Sequence, residues 1–209
     1  AFSFLKAIKP FIRIGYKEFT QDKSAFNSAM SYTLKRAVTG SGKEIKIDFD
    51  RALVSMGTLM PIFEGVATVS NHQMTFNWKD NSGMGNAERT DIAMVLVYNK
   101  DREAAVYDTE AALRSDCHAG LQLPEDWQDD ELVAYLSFCS TDGNCVANSI
   151  CLPISVIEIP EEEIDVQTES VDTTHKRILP DKRTVHQSHI TVHSLSAPPN
   201  EIRTYRCET

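Results

Sequence analysis

The chain has 209 residues and a mass of 23.4 kDa, enough for one or two domains with a sizeable core, and its 42 % apolar and 24 % charged residues are an ordinary globular composition. The formal charge of −9 is uneven: residues 1–40 carry +5, residues 41–157 carry −10 and residues 158–209 carry −4. These figures argue against sequence-independent nucleic-acid binding, which depends on clustered cations, and no apolar run approaches the ~18 residues of a membrane-crossing helix.

The start, AFSFLKAIKP, has no initiator methionine and carries lysines inside its apolar part. It reads as a processed or truncated end, not as a signal peptide. Leu5, Ile8, Ile12, Tyr16 and Phe19 then recur at three- and four-residue steps, with Lys6, Lys9, Arg13 and Lys17 on the other side. Pro10 either kinks this helix or sits in the first turn of one that begins near Lys9. A second helix is capped by Ser24, buries Phe26, Ala29, Met30, Leu34 and Ala37, and ends at Thr39-Gly40. Such a basic amphipathic pair has two readings, a membrane-surface helix or a core-facing one, and the second is the commoner.

Lys43 to Asp48 alternates strictly and predicts a half-buried strand, with Ile45, Ile47 and Phe49 on one side. Arg51 to Met56 predicts another short strand, stopped by Gly57. From Leu59 to Pro153 short strands alternate with turn signals. Val66–Val69 is bracketed by Gly65 and the polar run SNHQ. Met74, Phe76 and Trp78 share one face. Ile92–Tyr98 is almost continuously apolar, as a central strand covered on both sides would be. Glu103–Tyr107 reads as a short edge strand, Gly120–Leu123 as a strand stopped by Pro124, and Leu132–Cys139 as the second core strand, returned by Thr141-Asp142-Gly143-Asn144.

The predicted fold class is therefore α+β and mainly β. An N-terminal amphipathic helix pair with short strands spans 1–57. An antiparallel immunoglobulin- or fibronectin-III-like sandwich follows at 58–157, with Trp78, Tyr98 and Tyr135 as core aromatics. An extended or partly disordered tail occupies 158–209. The acidic start of that tail, Glu158–Asp172, holds seven acids and no base, and only Val185–Val192 alternates as a strand would.

Few residues suggest chemistry. The five cysteines (117, 139, 145, 151 and 207) lack a CxxC spacing, which argues against zinc ribbons and redox motifs. Cys139 and Cys145 flank a turn, so they are either a cross-hairpin disulfide or, as the plainer reading has it, small buried hydrophobes. His186, His189 and His193 are split between two faces of a strand and lack a fourth ligand, so no metal is expected there. Asp116, Cys117 and His118 are neighbours in a strand and point opposite ways, which argues against a thiol dyad. The chain has no GxSxG elbow, phosphate loop, dinucleotide fingerprint or HExxH, and neither catalytic residues nor cofactors are predicted.

The oxygen-rich loop from Asp80 to Asp91 departs from an EF-hand, because Met84 occupies a ligand position. It is the candidate binding rim, with Asp80, Asn81, Ser82, Asn86 and Asp91 as its polar residues. The bland alternative is ordinary turn chemistry.

Four stretches matching in order, FLKAIKPFIRIGYKEFT, AFNSAMSYTLKRAVTG, MTFNWKDNSGMGNAERTDIAMVLVYN and AYLSFCSTDGNCVANS, resemble an uncharacterised domain family of Bacteroidota proteins over about residues 1–152. The resemblance carries no catalytic residues. It implies a glycine-rich β segment like GGFSGKVG ahead of the helices, which this chain lacks, and an end soon after the last sandwich strand. A missing β segment would leave an unpaired sheet edge for another chain to fill. The leading expectation is a non-enzymatic structural or protein-interaction protein that partners with proteins, including copies of itself. The alternatives are a ligand- or glycan-binding module using the Asp80–Asp91 loop, and a hydrolase with an unrecognised site.

Overall fold

A computed structural model describes residues 1–156 except 22, 42 and 43. The expectations for the tail, its three histidines and Cys207 lie outside the described residues. The fold is α+β and mainly β. Among the described residues three α-helices, α1 (Phe2–Ala7), α2 (Lys9–Gly15) and α3 (Ala25–Arg36), precede ten strands. The chain breaks at Ile8, and Pro10 stands in the first turn of α2, where its missing N–H costs no helical bond. Ser24 caps α3, its hydroxyl accepting the Asn27 N–H at 3.2 Å.

The face that α3 buries differs from the predicted stripe. Ala25, Ala29, Thr33 and Ala37 line it, whereas Leu34 is 58 % exposed. Small residues four apart let the helix approach its neighbours closely, and Phe26 and Met30 pack on its shoulder. Strand β1 (Val38–Thr39) pairs with β2 (Lys46–Ile47), which is much shorter than the predicted Lys43–Asp48 strand and leaves Ile45 exposed.

Residues 51–56 are not a strand. They form an extended connector whose Val54 and Ser55 amides donate to the Ser149 hydroxyl at 2.9 and 3.3 Å. Gly15 makes the connector possible, since a Cβ there would stand 2.4 Å from the Val54 carbonyl oxygen.

Two four-stranded sheets follow. One has the order β10-β3-β4-β7, formed by β3 (Phe63–Ser70), β4 (Gln73–Lys79), β7 (His118–Gln122) and β10 (Ile154–Val156). The other has the order β6-β5-β8-β9, formed by β5 (Ile92–Asn99), β6 (Ala104–Leu113), β8 (Leu132–Cys139) and β9 (Ile150–Leu152). Pairing is antiparallel except for β10 beside β3. The β3–β4 hairpin turns through Asn71 and His72, both at positive φ (47° and 57°), which suits the strand twist. The predicted short edge strand at Glu103–Tyr107 is in fact the ten-residue β6, because its pairing with β5 continues past a register shift to Leu113.

Sheet β6-β5-β8-β9 is buried on both sides. Ala93, Val95, Val97, Ala134, Leu136 and Phe138 meet Met74, Phe76 and Trp78 in the core between the sheets. Met94, Leu96, Tyr98, Val133 and Tyr135 meet the helices on the other face. Tyr98 and Tyr135 are thus core aromatics of the helical side, while Trp78 belongs to the inter-sheet side. Phe4 packs edge-on against Tyr98 at 4.9 Å, and the Tyr135 hydroxyl donates to the Phe49 carbonyl at 2.8 Å. Cys139 and Cys145 are free thiols that pack against different cores.

Candidate functional site

Arg114 follows β6 in a single 3-10 turn, Arg114–Asp116, that carries the chain from one sheet to the start of β7 in the other. Its side chain is fully buried. A guanidinium withdrawn from water must be paired on every face, and here it is. Nε stands 3.0 Å from Asp91 Oδ2, Nη1 donates to Asn81 Oδ1 at 2.6 Å, and Nη2 donates to the Met60 carbonyl at 2.8 Å. Cζ lies 3.8 Å over the Phe138 ring. The Arg114 backbone is used as well: its N–H donates to Asp91 O at 2.7 Å, and its carbonyl accepts the Trp78 indole N–H at 2.8 Å. Burial lowers the guanidinium from its ordinary value, and Asp91 works against that.

The predicted rim residues divide accordingly. Asn81 and Asp91 are buried and face inward, holding Arg114. The Asn81 amide also donates to Pro61 O at 3.0 Å, and Asp91 Oδ2 accepts the Glu88 N–H at 2.9 Å. Asn86 is exposed but spans back to the Met60 amide and the Thr58 carbonyl, at 2.8 and 3.1 Å. Asp80 and Ser82 bond each other: Asp80 Oδ1 accepts both the amide and the hydroxyl of Ser82, which holds its carboxyl below the usual range. The loop therefore spends its polar atoms on its own conformation and on the Arg114 junction. Sequence reasoning missed Arg114. The available signal was Asp91, an acid directly before a strand with no exposed residue, which needed a buried cation.

His118 Nδ1 lies 2.8 Å from the Asp116 carbonyl oxygen, and the Cys117 thiol points to the Ser115 carbonyl at 3.6 Å. Neither engages the other. Burial, together with the nearby Asp50 carboxylate, raises Cys151 to about 12. Among the described residues, no cluster of three or more His, Cys, Asp or Glu has metal-binding geometry, and no helix is long and apolar enough to cross a membrane.

What the Arg114 junction presents is β7. This strand pairs with β4 on one side and has no strand on the other among the described residues. The flanking bonds, Trp78 N–H to Cys117 O at 3.0 Å and Leu123 N–H to His72 O at 2.7 Å, fix its phase. Ala119 and Leu121 therefore exchange bonds with β4, while His118, Gly120 and Gln122 turn their main-chain groups outward. These three are exposed. The strand has no proline, lysine or acid.

The outer edge of β6 is different. Asp108 and Glu110 are exposed along it, the register shifts there, and Asp108 and Asp116 carboxylates take the Glu110 and Leu113 amides, each at 2.8 Å. Charges and irregular pairing are how natural proteins blunt a sheet edge. Of these two edges, β6 is guarded and β7 is open among the described residues.

A model for a family of unknown function (DUF6266) matches residues 1–153, and the chain belongs to that family. No curated protein matches the chain.

Proposed function

We propose that the protein is a non-enzymatic structural or protein-interaction protein that accepts a further strand on β7, in the simplest case from a second copy. The observation that carries this reading is the open edge of His118, Gly120 and Gln122, beside a β6 edge that is guarded. Antiparallel pairing of β7 with its twin sets Gly120 opposite Gly120 and His118 opposite Gln122, with no like charges facing. About six main-chain bonds would form, each of modest net value, so association would be weak and concentration-dependent. We read the two packed sheets, with β3, β4 and β7 on one side and β5, β6, β8 and β9 on the other, as a fibronectin-III-like sandwich; their two-layer, largely antiparallel arrangement supports this.

Light scattering from about 10 μM to about 1 mM should show the mass rising from 23.4 kDa toward twice that value. Gly120→Pro, which removes an outward N–H and whose Cβ would meet only the end of the Gln73 side chain, should stay monomeric. A wild-type chain that is strictly monomeric throughout overturns the reading.

A further inference from the structure

On the helical side, away from β7, the turn after α2 and the outer face of α3 border an open groove of about 400 Å³. Phe19, Tyr32 and Met56 form its apolar part, and Lys23, Lys35 and Arg36 stand around it. The Ser28 hydroxyl donates to the Phe19 carbonyl at 2.7 Å and so fixes the turn against the helix. Among the described residues one acid, Glu18, also lines the groove, but its carboxylate is fully engaged. Oε1 accepts the Val146 and Thr58 amides at 2.8 and 3.2 Å, and Oε2 accepts the Thr58 hydroxyl at 2.8 Å. None of the three cations forms an ion pair among the described residues, although the chain as a whole carries −9. An apolar floor ringed by cations that form no ion pair among the described residues is complementary to one kind of partner.

We propose that this groove docks an acidic polypeptide segment, with carboxylates meeting Lys23, Lys35 and Arg36 and an aromatic or large aliphatic side chain resting on Phe19, Tyr32 and Met56. A duplex or a bilayer fits less well. Three cations neutralise few phosphates, the chain's net charge of −9 opposes a large polyanion, and a flat lipid surface cannot follow a concavity. The groove names a partner class within the interaction reading but does not use β7, so it stands even if the chain never self-associates.

The test is fluorescence anisotropy of a fluorescein-labelled peptide, EEFEELEE, titrated with the full chain. Saturable binding is expected, weakening several-fold between about 0.05 and 0.3 M salt as the charges are screened. Lys35→Gln/Arg36→Gln should weaken it about tenfold or more, whereas Lys6→Gln/Lys9→Gln, an equal charge change on α1 and α2, should leave it within about twofold. Circular dichroism of each variant confirms that the helices persist, and the peptide with serine for its phenylalanine and leucine should bind at least several-fold more weakly. No saturation at about 1 mM protein overturns the proposal, as does equal weakening by both double variants, or binding only of duplex DNA or anionic phosphatidylglycerol vesicles. Salt separates this from self-association: the peptide complex weakens as salt rises, whereas pairing of two chains of like charge strengthens.

Discussion

Arg114 is held by two side chains, two carbonyls, an indole and a phenyl ring, so each partner's removal has a foreseeable cost. Asp91→Ala leaves a buried cation without its counter-charge and should destabilise the fold by about 3–5 kcal/mol in denaturant titration. Replacing both members, as in Arg114→Met/Asp91→Leu, should cost clearly less than the single change, because no uncompensated charge remains. Asn81→Ala should fall between, at about 1–3 kcal/mol, since it orphans a buried hydrogen bond to a charged group. Alanine at either loop position thus reports folding before it can report ligand contact. Asp91 was visible in the sequence as an acid beside an apolar strand. Its partner, 23 residues away, was not, because only the crossing between sheets brings them together.

At the scale of elements, α3 shows where local pattern stops being sufficient. Its start was legible because a serine cap acts within three residues: Ser24→Ala should cost about 1 kcal/mol. Its buried face was not, since Leu34 fits a helical stripe as well as Thr33 does, and the choice depends on which neighbours demand close approach. Leu34→Lys should therefore change stability by no more than about 0.5 kcal/mol, whereas Ala29→Leu should cost about 1–3 kcal/mol by overpacking. Thermal unfolding of the two variants gives the contrast. The central strand at Ile92–Tyr98 was readable because both its faces are apolar, a property of the residues themselves. The extent of β6 was not, because Asp108 to Leu113 joins the sheet only by virtue of the partner that β5 offers beyond a register shift.

For the whole molecule, the helices and sheet β6-β5-β8-β9 share a core, so the two should unfold together. Phe4→Ala, far from the inter-sheet core in sequence, should lower stability by about 3–5 kcal/mol and shift far-UV and near-UV transitions equally. The same core sets an alkaline limit. Burial raises Tyr98 to about 12 and pushes Tyr16 and Tyr135 up as well. These phenols are neutral in the folded state and ionise in the unfolded one from their ordinary value of 10.0 upward. The stability they contribute is complete below that value and lost as pH rises above it. The midpoint temperature should hold up to about pH 9 and fall steeply beyond pH 10, with tyrosine absorbance changing in step. Tyr98→Phe should blunt the fall.

The sequence by itself determined the class of the protein: α+β and mainly β, with the break near Pro10, the Ser24 cap, the inward Met74-Phe76-Trp78 face and the two central strands. Each of these follows from short-range periodicity, from a capping atom or from the apolarity of the strand itself. The tertiary structure alone decided that Tyr98 and Tyr135 serve the helical core, that Asn81 and Asp91 clasp Arg114, and that β7 is open among the described residues while β6 is guarded. Those facts depend on which face of a strand meets which layer and on which groups converge across 20 to 130 residues of chain, as Glu18 and Val146 do at 2.8 Å. Such convergence is created by packing, and local spacing does not encode it.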